Sequence, residues 1–410
     1  MIFVFIIFKI IFVGGMSFVS LNNVIVFTNC VLVSNVASSG GAAHFAMDNS
    51  IVTMRDTTVS DNRVDLYGGG IYFGQEHVAI RLIGMSVYNN RADSGAGMYI
   101  GQFNFDVVVK ESNFSHNEAD EEGGGFFSSA SEMELYDSIF TKNSAYSSAG
   151  MMLTFGDNHA IRDKRLIFEN CIITHNHAST FGGLNIEYGS NLNIQGCLFQ
   201  NNTGVIYDCG GLGIRESYNC SISNTLFDAN HAGLVGGALH VKDTSDVNMQ
   251  NVTFASNAAG LAGAIYFEEV SKAEIQSIQF IKNSAEQRGG ALWLERGSDV
   301  HISHTTFISN VVVFGNGAAI YTSFSIVSIR FCTFTENIAG LGAGAVYWVY
   351  QRSMGEPSGL RDGTNVFARN NASYGNDWVR PCLLLLWRRA LKKYCNDIYM
   401  LVFVCVCVCM

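Results

Sequence analysis

Apolar and polar positions along the chain follow two landmarks that recur together. In Asn224–Val241 (NTLFDANHAGLVGGALHV) an F-x-x-N, Phe227 to Asn230, precedes a G-G-A-L, Gly236 to Leu239. The first landmark recurs from Leu32 to Phe367, with phenylalanine or an aliphatic residue in the leading place. An asparagine stands three positions later in all thirteen copies, Asn35 through Asn370. Copies lie 26 to 28 residues apart, apart from two gaps of 33. The second landmark, three small residues then an apolar one, ends at positions such as Ile71, Leu212, Leu239, Ile265, Leu292 and Ile320. Residues alternate with period two around both landmarks, which predicts strands.

A fixed period of this length is the mark of a solenoid. A unit of about 27 residues with two or three short strands cannot close a core alone, so identical units must stack and bury a shared one. The fold predicted is all-β: a right-handed parallel β-helix solenoid of about 12–13 coils. It runs over 14–377, after an apolar stretch 1–13 and before a non-repeat tail 378–410. Inward residues two places before the phenylalanine (Cys30, Thr57, Met85, Ser112, Cys171, Val252, Cys332) complement it in the core. The asparagines are expected to occupy a left-handed turn and to bond rung to rung through their amides. Both prolines, Pro357 and Pro381, fall outside the ladder positions, as central strands require.

Composition narrows the function. Charged residues make up 15% and the net charge is −10, so a basic nucleic-acid-binding stripe is excluded. Of the eleven cysteines, Cys30, Cys171, Cys197 and Cys332 read as buried apolar residues. Cys209 and Cys220, flanking one coil, are the expected disulfide in an oxidising compartment. Without a C-x-x-C pair, a zinc site is not indicated. Sequons at Asn113, Asn201, Asn219, Asn251 and Asn371 permit glycosylation of a secreted chain, although so Asn- and Ser-rich a sequence produces some by composition alone.

The ends and the two long coils depart from the period. Residues 1–13 read either as an imperfect signal peptide or as a mis-started end, and they are too short to span a bilayer. In the tail the alternation Val404–Cys409 suits translated simple-sequence DNA. The long coils carry their extra residues at Gly156–Arg165 and Gln351–Gly363, read as tolerated surface loops.

Repeated G-G-A-[ILV] and F-x-x-N pairs, in full form at Gly236–Leu239 with Phe254–Asn257 and at Gly289–Leu292 with Phe307–Asn310, resemble the repeats of polymorphic outer-membrane proteins. That resemblance implies a surface-exposed, pectin-lyase-like β-helix associated with adhesion. A C-terminal translocator barrel is not among the residues after Asp377, and similar arrays occur in surface proteins of unicellular eukaryotes.

Two outer rows are candidate sites. Tyr266, Trp293, Tyr321 and Tyr347 follow the second landmark on successive coils and are expected on the solvent face, where sugars stack on aromatic ladders. Two residues further, Glu187, Arg215, Lys242, Glu268 and Glu295 form a charged row. Glu187–Arg215 and Lys242–Glu268 read as salt bridges, whereas Glu268 above Glu295 would suit a cation. His175 and His177 are expected to face solvent. The function predicted is a non-enzymatic extracellular or cell-surface module, structural or adhesive, with weak glycan binding at Tyr266, Trp293, Tyr321, Tyr347, Glu268 and Glu295. Its partners would be glycans or other surface proteins, and no catalytic residue, metal or cofactor is assigned. The alternative is a carbohydrate-active enzyme, a polysaccharide lyase or epimerase, on the same fold.

Overall fold

One coil, Ser245–Gln250 to Ile265–Glu268, shows how the period folds. Four strands form it: Ser245–Gln250, Thr253–Ala255, Ala258–Leu261 and Ile265–Glu268. They belong to sheets 1, 2, 3 and 4 respectively, so each coil has four sides rather than two or three. Single residues with positive φ turn the corners: Asn251 (55°), Ser256 (55°), Ala262 (56°) and Glu269 (56°). These corners turn within two to four residues, which keeps the coil narrow enough for one layer of inward side chains.

The computed structural model describes residues 2–4, 11–12, 15–18, 24–46, 51–130, 132–155, 165–349 and 356–379. Over these residues the sheets contain 13, 14, 13 and 14 strands in the order just given, all paired in parallel with the next coil. Stacking is in register: Val247 pairs with Ala273, Phe254 with Phe280, Ala258 with Ser284 and Ile265 with Leu292. Strands Ile2–Val4 and Ile11–Phe12 pair with Val24–Val26 and Val31–Leu32, so the sheets already run within the apolar stretch. The expected loop around Gly156–Arg165 lies outside the described residues, except Arg165, as does the tail from 380 onward. The second insertion is described from Glu356: Pro357 and Leu360 are buried, and Ser358 bonds to Val327 and Ile329 above the last strand of sheet 1. Among the described residues no helix is long and apolar enough to cross a membrane.

The core is the predicted one. Phe199, Phe227, Phe254, Phe280, Phe307, Phe334 and Phe367 form a face-to-face column with ring centroids 4.7–5.2 Å apart. The slot two residues before, including Cys30, Cys171, Cys197 and Cys332, is buried in every coil up to Cys332 and half-buried at Asn365. Enclosed between rungs, these side chains apart from the half-buried Phe367 lose nearly all their accessible surface, and that burial is the main stabilising term.

The asparagines stack as expected, but not in the expected conformation. The positive φ belongs to the residue before each one: Asn201 before Asn202, Ala229 before Asn230, Ser256 before Asn257. The asparagine is needed for its amide. Asn257 Nδ2 donates to Asn283 Oδ1 and to the carbonyl of Phe227, both at 3.0 Å. Its backbone N–H also donates to Asn283 Oδ1 at 3.0 Å. Three donors are thereby satisfied in a fully buried corner, where an unpaired one would cost about 1–3 kcal/mol. Beyond the last of these bonds the series ends on Asp377, whose Oδ1 accepts from Asn370 Nδ2 at 3.1 Å.

The expected Cys209–Cys220 disulfide is absent, and both thiols are free and buried. Cys209 sits at the corner before sheet 4 with Sγ against the carbonyl of Leu212, and Cys220 points into the core from sheet 1. Burial raises the pKa of both thiols to about 12. His175 and His177 are exposed, as expected.

Candidate functional site

The outer row of sheet 4 differs most from expectation. Tyr266, Trp293 and Tyr321 are only 6%, 4% and 7% exposed, and Tyr347 is half-buried. Segments leading from sheet 3 to sheet 4 fold over the rings: Val235, Leu261 and Ala262 pack against them. The Arg288 guanidinium lies 5.5 and 5.4 Å from the centroids of Trp293 and Tyr321. These rings form a second, outer core instead of a solvent-facing ladder, and their faces are occupied by one another at 4.7–6.0 Å. The sequence gives the row but not its cover, which depends on the path of residues without a landmark.

The charged row is also rearranged. Glu268 is 6% exposed and receives Arg296 on one oxygen and Lys242, at 3.4 Å, on the other. Tyr266 donates its hydroxyl to Glu295 at 2.7 Å, and the phenol is held well above its usual pKa, first by burial and then by that carboxylate. The two glutamates are therefore engaged separately and do not form the expected cation pair. Arg215 does not meet Glu187. It bonds Asp208 at 2.8 Å and lies 4.7 Å over the Phe181 ring, while Glu187 accepts from Asn185.

The ring row is interrupted where these charges gather. From Tyr72, Tyr99 and Phe127 it continues as Met152, Asn185, Gly213 and His240, and only then resumes at Tyr266. At Gly213 a Cβ would strike the buried Phe181 ring, which reaches over the glycine from the preceding coil and fills that position. Beside the interruption opens a cavity of about 590 Å³, lined by Asp208, Arg215, Leu234, His240, Lys242, Tyr266, Glu268 and Arg296 among others.

Asp208 and His240 form the floor. Nδ1 of His240 lies 3.4 Å from Asp208 Oδ1, beyond a well-formed hydrogen bond, and both ring nitrogens lack a hydrogen-bond partner. Arg215 Nε is likewise buried and unbonded. Burial pushes the imidazole below its usual pKa, so it is neutral at pH 7. Burial alone would raise the Asp208 carboxyl, but the long His240 Nδ1 contact and the Arg215 guanidinium bonded at 2.8 Å together lower it below the usual carboxylate range, and only the Arg215 bond has good geometry. Unbonded nitrogens on a buried floor, with Lys242, Arg296 and the four carboxylates Asp208, Glu216, Asp243 and Glu268 in the lining, suit a ligand that offers several hydroxyls. Of the predicted site residues the structure brings Tyr266 and Glu268 to this cavity, leaving Trp293, Tyr321, Tyr347 and Glu295 outside its lining. Asp208, Arg215, His240, Lys242 and Arg296 carry no glycan-site expectation from sequence. The available signal was the polar interruption of an otherwise aromatic row.

No curated protein and no solved structure matches the chain. A family model described as a right-handed beta helix region matches residues 13–161, 154–262 and 211–353. With most of its length covered and its four parallel sheets coiled around one core, the chain belongs to the right-handed β-helix family.

Proposed function

We propose that this chain is a non-catalytic, surface-exposed β-helical module that holds a glycan in the sheet 4 cavity. The interruption of the ring row carries the reading. Each aromatic pair stacked across a rung contributes about 0.5–1.5 kcal/mol beyond its burial. The chain forgoes that at Met152, Asn185 and Gly213 and places a polar cavity beside the gap. Hydroxyls of a sugar fit Asp208, Glu268, Lys242 and the unbonded nitrogens of His240 and Arg215. Leu234 and the edge of Tyr266 supply an apolar wall. The resemblance to polymorphic outer-membrane-protein repeats, associated with adhesion, supports a cell-surface or extracellular place.

Pairing of the charges supports binding over turnover. Asp208 and Glu268 are each held by cations, whereas a general base needs a group poised to accept a proton. His240 favours the second reading, a carbohydrate-active enzyme, because it is neutral, unbonded and at the floor. A glycan array probed with the full chain, followed by product analysis of each retained glycan, tests both. Retention without shortened or unsaturated products is expected. Retention of no glycan would overturn the binding reading, and products would transfer the site to the enzyme reading.

A further inference from the structure

We infer that Asn113, Asn201, Asn219, Asn251 and Asn371 are sites of N-linked glycosylation. The inference rests on the surface location proposed above.

The coil separates two kinds of asparagine. Ladder asparagines are buried, and the residue two places after each is an inward alanine, valine or glycine, as Ala259 follows Asn257 and Gly204 follows Asn202. That inward slot cannot take the hydroxyl a sequon needs. The five sequon asparagines are all exposed. Asn201 and Asn251 sit at coil corners with φ of 53° and 55°, and Asn219, with φ of 53°, lies within the strand Tyr218–Ser223 at a position that the pairing register skips. In two places the kinds are adjacent: buried Asn202 follows exposed Asn201, and exposed Asn371 follows buried Asn370.

The modification is compatible with the existing bonds. Asn251 Nδ2 donates to Asn224 Oδ1 at 2.7 Å, and Asn219 Nδ2 to Asn191 Oδ1 at 2.6 Å. Attack of Nδ2 on C1 of an oligosaccharide carried on a lipid diphosphate forms the N–C1 bond and breaks the C1–O bond. The lipid diphosphate leaves with the electron pair and one amide proton is lost. The second N–H remains, so each neighbour bond is kept. None of the five lies on a sheet 4 strand, so the glycans leave the cavity face bare.

The test directs the full chain through a eukaryotic secretory pathway behind an added signal peptide. Enzymatic release of N-glycans in heavy-oxygen water then marks each former site as labelled aspartate. Label on at least three of the five, with none on Asn202 or Asn370, is expected. Thr203→Val and Thr253→Val, which preserve side-chain shape, should each remove one glycan from the released ladder. Label on fewer than three sites while a control glycoprotein is fully modified, or label on Asn202 in place of Asn201, would overturn the inference. Because the host supplies the compartment, that failure would not touch the glycan-binding reading, which the array tests separately.

Discussion

Asn257 gives both its backbone and its side-chain N–H to the single Oδ1 of Asn283, each at 3.0 Å. Asn230 gives the same pair to Asn257, so one buried oxygen per coil accepts two bonds from the coil before it.

Asn257→Ala should therefore lower stability by about 1–3 kcal/mol, by stranding buried groups on two coils. Asn257→Asp should be worse at neutral pH, because an oxygen would face the Phe227 carbonyl and Asn283 Oδ1. Urea denaturation of both variants measures this, and an aspartate tolerated as well as alanine would refute the ladder.

The column of rings beside it sets a second expectation. Phe254 lies 4.8 Å from Phe227 and 5.2 Å from Phe280, with no exposure. Phe254→Ala should cost about 3–5 kcal/mol, since both neighbouring rungs border the cavity left behind.

Trp293 provides a test of the outer core. A solvent-facing ring would be removed at little cost. Covered by Arg288 and stacked 4.7 Å from Tyr266, it should instead cost about 3–5 kcal/mol as Trp293→Ala. A urea midpoint unchanged from wild type would put the ring back on the surface.

Sequence and structure diverge at such positions for a physical reason. Inward residues are fixed by a period of about 27 and by strand alternation, so Phe254, Asn257 and the buried Cys171 could be placed from sequence. Whether an outward residue such as Trp293 is covered depends on Leu261 and Arg288, which end sheet 3 strands at positions outside both landmarks. Asp208 is in the same situation, within a turn that no landmark marks. His240 was within reach of sequence only as one of four successive positions, Met152, Asn185, Gly213 and His240, at which a largely aromatic row loses its phenylalanine, tyrosine or tryptophan.

His240 also predicts a pH dependence. Burial among Asp208, Arg215, Tyr266 and Glu268 sets its folded pKa below the usual 6.5. The unfolded chain then binds more protons below that value, so stability present above it is lost as pH falls towards the folded pKa. From about pH 7.5 to about 5.5 the wild type should lose more stability than His240→Gln. His44, also lowered by burial, is common to both and cancels. Equal losses in thermal denaturation would contradict the assignment.

The cavity itself is tested most directly by titrating the full chain with a glycan that the array retains, beside the double variant Lys242→Ala/Arg296→Ala. Both side chains line the cavity, are 38% and 57% exposed and together pair the buried Glu268, so thermal denaturation of the double variant accompanies the titration to show that its coil is folded. Glu274→Ala, exposed on sheet 1, is the control. Binding at least about tenfold weaker, equivalent to about 1.4 kcal/mol, is expected for the double variant, and wild-type binding for the control. Equal affinity in all three proteins would contradict it.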